Sequence, residues 1–306
     1  MRGLIGAVFA SALAMAPAVA AEREWLGKAR MFTNDKLGDG QDRWRTGSFS
    51  MSLIRGEKWQ GALPQSFGAL IEYRMMSQII APDDLTNPVL GTDRPFVGAV
   101  HLGAFTHFSL GQGEAMVGLD LVITGEQTGL GSFQSWVHQA LGMGATQVLG
   151  SQIGNGLHPT LVAAYGQDFN LGTEAARIGF RPFVEAQAGV ETFVRFGGDI
   201  TFGQLGAGDF LVREAISGFR HSAIKAERAR RNSLIVGGDV AYVMSSKYLP
   251  ASGGYSIVRP RTRLRMGIHA EGKRDSVFYG LTWLGREFAN QPGGQVVGSF
   301  TYRMKF

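Results

Sequence analysis

Apolar and polar residues alternate in short runs along most of this chain, and its C-terminus shows the rhythm most plainly. In the final stretch Phe300, Tyr302, Met304 and Phe306 share one face, while Thr301, Arg303 and Lys305 share the other. Successive side chains of a strand point to opposite sides. A period of two with an apolar face and a charged face therefore predicts a strand between lipid and a polar interior. The terminal Phe306 also resembles the signal read by the outer-membrane assembly machinery, which makes that machinery an expected partner. Similar runs predict strands at 25–32, 46–54, 67–77, 96–108, 115–124, 159–169, 175–187, 192–202, 235–244, 261–270, 276–286 and 295–306. About twelve strands, an even number, predict an all-β fold: a transmembrane antiparallel up-and-down β-barrel.

With the start of the barrel in the periplasm, the connections 33–45, 78–95 and 125–158 lie outside the cell, and 55–66 and 109–114 lie inside. The span 203–234 fits poorly, because it falls on the periplasmic side, where turns are short. It holds either a missed strand or an insertion, and its Lys225, Arg228, Arg230 and Arg231 read as a solvated charge run. In the third external connection Phe133, Trp136, Val137, Ala140 and Leu141 follow helical spacing, with Ser132 at an N-cap position. That predicts a short helix in an extracellular loop, either packed on the barrel wall or dipping into the outer leaflet.

Composition then narrows the setting. Arg2, the apolar run 4–20 and Ala18-Val19-Ala20 read as a secretory signal peptide cut near Ala20 or Ala21. Residues 21–306 remain as one barrel domain, expected in the outer membrane. No later apolar stretch is long enough for a membrane helix. The 44 glycines and 20 phenylalanines suit membrane strands, as does a mean hydropathy of +0.00. The absence of cysteine excludes a disulfide framework or a thiolate metal site. A net charge of +5 is compatible with an anionic ligand such as lipopolysaccharide but does not select one. There is no Walker loop, no dinucleotide fingerprint and no His-Glu-x-x-His motif. Export to a membrane argues against nucleic acid as a partner. His101, His107, His158, His221 and His269 lack the spacing of a zinc site.

Strand parity brings Asn34, Asp35, Thr46 and His138 to the external end. Asn34 and Asp35 offer hard oxygen ligands of the kind calcium takes, and His138 offers a general base near neutral pH. A cation that polarises an ester carbonyl and holds its oxyanion, beside a histidine that activates water, makes an esterase. Plainer readings stand beside this one, since an Asn-Asp pair also forms turns and a lone histidine is often structural. Two further readings stay open. One is an outer-membrane phospholipase using Ser132 or Ser135, near His138, although no Gly-x-Ser-x-Gly elbow occurs. The other is a porin or structural barrel with no enzymatic activity.

Several ordered motifs span most of the mature chain: Phe32-Thr33-Asn34-Asp35, Asp42-Arg43-Trp44-Arg45-Thr46-Gly47, Gln78-Ile79-Ile80-Ala81-Pro82 and Thr92-Asp93-Arg94-Pro95-Phe96-Val97-Gly98. They continue with Thr128-Gly129, Gln134-Ser135-Trp136-Val137-His138 and Gln152-Ile153. In this order they resemble the outer-membrane lipid A 3′-O-deacylase family. The resemblance implies a twelve-stranded barrel whose active site lies between the wall and an external-loop helix. It implies calcium-dependent removal of the 3′-linked acyloxyacyl group of lipid A. By motif, His138 matches the base, Asn34 and Asp35 the cation site, Thr46 the hydroxyl residue opening the second strand, and Gln134 a glutamine near the site. Asp93 and Arg94 match a family block, either as an ion pair that stiffens the loop or as substrate contacts. Two departures accompany the match. No lysine lies between Lys58 and Lys225, so a contact to a lipid A phosphate is missing or falls to Arg94 or Arg74. Gly154-Asn155-Gly156 stands where members often carry a glutamate, which leaves metal binding, substrate and activity open to change.

Overall fold

The computed structural model describes residues 22–86, 93–144, 146–173, 176–226, 232–272 and 275–304. The expected signal peptide, Thr92, Lys305 and Phe306 lie outside them. In chain order the strands are β1 (Glu24–Asn34), β2 (Trp44–Gly56), β3 (Leu70–Ala81), β4 (Val97–Leu110), β5 (Gly113–Thr124), β6 (Gly156–Gly166), β7 (Phe169–Asn170) and β8 (Ile178–Ala188). They continue with β9 (Glu191–Gly203), β10 (Phe210–Arg213), β11 (Arg220–Ile224), β12 (Ser233–Ser246), β13 (Pro260–Glu271), β14 (Asp275–Leu284) and β15 (Gln295–Met304). Among the described residues one α-helix, α1, spans Leu130–Ala140. The main sheet has 13 strands, and without the two-residue β7 twelve form the wall. Each pairs antiparallel with its neighbour, and the cylinder closes where Phe32 faces Phe300 and Thr33 faces Ser299. Every strand expected from the alternating pattern is present, with ends moved by a few residues.

The alternation has the sense required in lipid. On β13 Leu264, Met266 and Ile268 are exposed, whereas Arg263, Arg265 and His269 are buried. A soluble sheet buries its leucines; here the apolar row faces hydrocarbon and the arginines face inward. Inside, the most deeply buried of these charges are paired, as buried charges must be. Arg263 Nε donates to Asp239 at 2.8 Å, and Arg213 lies 2.7 Å from Asp199.

The poorly fitting span is an insertion, not a missed wall strand. β10 and β11 form a hairpin that re-enters the barrel from the periplasmic end. Arg263 donates to the carbonyls of Ala215 and Ile216 at 2.6 and 3.0 Å, and Thr282 donates to Ser217 O at 3.1 Å. The tip also buries Phe219, whose ring meets Phe278 edge-on at 4.9 Å. Gly218, at φ +77°, makes the reversal that a side chain would strain. Lys225 is corrected from the solvated reading, because it reaches Glu271 at 2.9 Å and Ser276 at 2.8 Å. Arg228, Arg230 and Arg231 lie outside the described residues. With the hairpin packed across the lumen, the intact barrel is expected to show no steady ion conductance in planar bilayers. Deletion of 204–226 is expected to open it, and steady conduction by the intact protein would contradict a filled lumen.

Candidate functional site

At the external end β1 stops at Asn34, whose side-chain oxygen accepts the Lys36 N–H at 2.8 Å and caps a single turn over Asp35–Leu37. That turn carries Asp35 inward, where it is fully buried. Its carboxylate accepts the Arg43 N–H at 2.7 Å and the Thr46 hydroxyl at 3.0 Å. The same hydroxyl oxygen lies 2.7 Å from Asp42. A hydroxyl has one proton to donate, so it can satisfy only one of these two carboxylates. The other contact is left to a proton on a carboxyl or to a cation. Burial, reinforced by the nearby charges of Asp42 and Asp39, accordingly pushes the Asp35 carboxyl up to about 7, against the Arg43 N–H and the Thr46 hydroxyl.

The imidazole arrives from above the wall. A short turn over Glu126–Thr128 leads through Gly129, at φ +70°, into α1. Gly129 thus replaces Ser132 as the N-cap, and Ser132 sits exposed inside the helix. The start of the helix lies against the outer face of β4, because Gly98 has no side chain. A Cβ there would come within 2.6 Å of Thr128 Oγ1 and 3.1 Å of the Leu130 Cβ. Gly131, Gln134 and His138 form the buried face of α1, whereas Phe133 and Trp136 are 55% and 64% exposed. The apolar stripe therefore faces away from the wall, as the second of the two placements expected for it requires. Turned inward, His138 Nε2 lies 2.9 Å from Asp42 Oδ2. Gln134 donates to Asp42 Oδ1 at 3.4 Å, and its own buried side-chain oxygen has no hydrogen-bond partner.

Four of the five residues singled out from the sequence thus gather at one outer lip. A chain of contacts runs from His138 through Asp42 and Thr46 to Asp35, with Gln134 alongside. Asn34 adjoins the group but is engaged in the turn. Asp42, to which the sequence reading gave no role, is the link between imidazole and hydroxyl. Its only sequence signal is its place in the Asp42–Gly47 motif.

Asp93, Arg94 and Arg74 are engaged with other parts of the protein. Asp93 accepts the Trp44 indole N–H at 2.6 Å and the Asp83 N–H at 2.9 Å. Arg94 is fully buried and ion-paired, though with Glu287 at 2.6 Å rather than with its neighbour. Arg74 is committed to Glu72 at 2.8 Å inside the barrel. Neither arginine is placed to meet a phosphate at the lip. Asn155 accepts the Gln127 N–H at 3.0 Å and so ties the end of the third external loop to its beginning.

The donor set suits a hard cation. Among the described residues no group of three or more His, Asp or Glu is placed to hold a metal. Calcium, however, accepts neutral oxygens and water as well as carboxylates. Asp35, Asp42, Thr46 and the unpartnered Gln134 oxygen supply oxygens, and the two carboxylates crowding one hydroxyl are what a cation would relieve.

A family model described as outer membrane protein LpxR matches residues 7–306. No curated protein matches the chain. Among solved structures, the chain is similar to LpxR from Salmonella typhimurium at 15% identity and a TM-score of 0.77, over 92% of this chain and 100% of that one. A fainter likeness, to the β domain of the Bordetella autotransporter Brka, has 11% identity and a TM-score of 0.42 over 92% of this chain and 99% of that one. At 15% identity the first likeness concerns the fold; the second carries no argument.

Proposed function

The chain belongs to the outer membrane protein LpxR family, and from that premise we propose that it is a lipid A deacylase, an ester hydrolase that removes the 3′-linked acyloxyacyl group in the outer leaflet. The observation that carries this reading is the 2.9 Å contact between His138 and Asp42 at the lip, beside buried Asp35 and Thr46. With Nε2 turned to Asp42, His138 keeps Nδ1 for a water molecule. Nδ1 takes a proton from that water while the water oxygen attacks the ester carbonyl. The Asp42 carboxylate accepts the Nε2 proton's hydrogen bond, fixes the ring and stabilises the imidazolium. His138 then returns the proton to the departing sugar oxygen, so one water and one ester give one acid and one alcohol.

Asp35, Thr46 and the free Gln134 oxygen are the groups offered to calcium, and Asn34 holds the turn that presents Asp35. Calcium, when bound, polarises the carbonyl and stabilises the oxyanion. Purified protein in lipid A micelles is expected to stop releasing fatty acid when calcium is chelated and to resume when it is restored. Release that ignores the chelator would remove the cation from the scheme. The serine alternative has little support: Ser132 is exposed, and among the described residues no hydrogen bond joins Ser132 or Ser135 to His138.

A further inference from the structure

One backbone outlier lies inside the candidate site. Among the described residues in the left-handed region, Trp44, at φ +53°, is the one that is not glycine. A bulky side chain is disfavoured there, because its Cβ crowds a neighbouring carbonyl oxygen. Such a conformation persists only where its surroundings hold it, and such residues cluster at functional sites. Trp44 is held in three ways. Its indole N–H donates to Asp93 at 2.6 Å. The Arg43 guanidinium lies over its ring at 4.1 Å, and the ring is buried in a cluster with Leu249 and Phe288. The turn at Trp44 folds Asp42 back onto Thr46. Four residues of extended chain span about 13 Å, yet the side chains of Asp42 and Thr46 meet at 2.7 Å. The chain must reverse between them, and Trp44 stands midway. Pairing slips at the same place, with three steps along β2 from Trp44 to Gly47 against two along β3 from Ala81 to Ile79. A bulge of this kind re-aims side chains. Arg45 turns into the lumen, to Glu191 and Glu287, and Thr46 turns to the lip.

We propose that Trp44 is a positioning residue of the site: its left-handed turn, locked by Asp93, holds Asp42 within reach of both Thr46 and the His138 ring. Trp44 acts through Asp42 rather than on substrate. The lock also ties the lip to the second external loop. The other Asp93 oxygen accepts the Asp83 N–H at 2.9 Å, and the Asp83 carboxylate pairs with Arg43 at 3.0 Å. The effect of the lock on rate rests on the deacylase reading; its effect on the turn does not.

The test removes the indole N–H with Trp44→Phe, which keeps an aromatic ring in the cluster. Asp93→Asn weakens the same bond from its other end; it is expected to match, and it serves if Trp44→Phe does not fold. Trp59→Phe is the control, because the Trp59 indole donates to Gly208 O at 3.0 Å at the periplasmic end. Lipid A hydrolysis is read as kcat and KM, for each change alone and combined with Asp42→Asn. Trp44→Phe is expected to lower kcat about tenfold with KM unchanged. It is expected to cost nothing further once Asp42 is asparagine, because the coupling runs through that carboxylate. Trp59→Phe moves neither constant. Amide exchange on the solubilised protein follows the turn independently of activity. The Arg43 N–H, tied to Asp35 at 2.7 Å, is expected to exchange about tenfold faster in Trp44→Phe and unchanged in Trp59→Phe. An undiminished kcat, an equal loss in the Asp42→Asn background or in Trp59→Phe, or unchanged exchange at Arg43 overturns the proposal. If the unaltered protein releases no fatty acid while exchange at Arg43 still rises in Trp44→Phe, the lock stands and the deacylase reading falls.

Discussion

Replacing His138 by alanine is expected to abolish ester hydrolysis while leaving the barrel folded. A positioned general base contributes about 10²- to 10⁴-fold to a rate, and among the described residues no other histidine is bonded to Asp42, Thr46 or Asp35, His158 at the same rim being turned to Thr124. His101 and His107 point into the lumen, against Asp120 and Glu72 at 2.8 Å each. Folding is spared because His138 stands on a loop helix and, among the described residues, is ion-paired with Asp42 alone. Asp42→Asn keeps the shape but removes the charge that orients and stabilises the ring. It is expected to lose about 10²-fold or more, with an altered pH–rate profile that a purely structural lesion would not produce. Rates with purified lipid A, beside the heat-modified gel shift of a folded barrel, check both. Undiminished turnover in His138→Ala would remove the imidazole from the chemistry.

The second large effect concerns stability at the same end of the barrel. Glu287, in the loop after β14, takes Arg94 at 2.6 Å and Arg45 at 2.7 Å and lies 3.7 Å from Arg261. It thereby joins the second external loop, the base of the first and the last one. Glu287→Ala leaves these guanidiniums buried without the carboxylate they share. Stranding a buried charge costs roughly 3–5 kcal/mol. Urea unfolding in micelles is expected to move to lower denaturant by that amount, and activity should fall as Asp35 and Thr46 loosen. Conversion to a fully stable variant would show that these arginines find other partners.

The wall was legible because lipid on one side and a charged lumen on the other impose a period of two that no turn disguises. Arg263, Leu264, Arg265 and Met266 display it residue by residue. The span 203–234 could be read only as a missed strand or an insertion, because the hairpin packs inside the lumen and lacks the lipid-facing row of a wall strand. Its tip, from Glu214 to Phe219, is held through carbonyls that any residue possesses. The spacing of Phe133, Trp136 and Leu141 located the helix but not the direction of its stripe, since an apolar stripe suits lipid as well as a protein core. Ser132 was misread as the cap because the entry needs a left-handed residue, which Gly129 supplies. Asp42 was unreadable as a partner for His138. The two meet through the tertiary placement of α1, whose entry crosses side-chain-free Gly98 and whose Gly131 lies against Leu149 and Phe96.

The reaction proposed for this outer lip is the cutting of a lipid A ester. The most direct measurement is mass spectrometry of lipid A from cells producing the intact protein and from cells producing His138→Ala, both in calcium-replete medium. The expected result is a species lacking the 3′ acyloxyacyl mass in the first culture alone. Identical, fully acylated lipid A in both would contradict it.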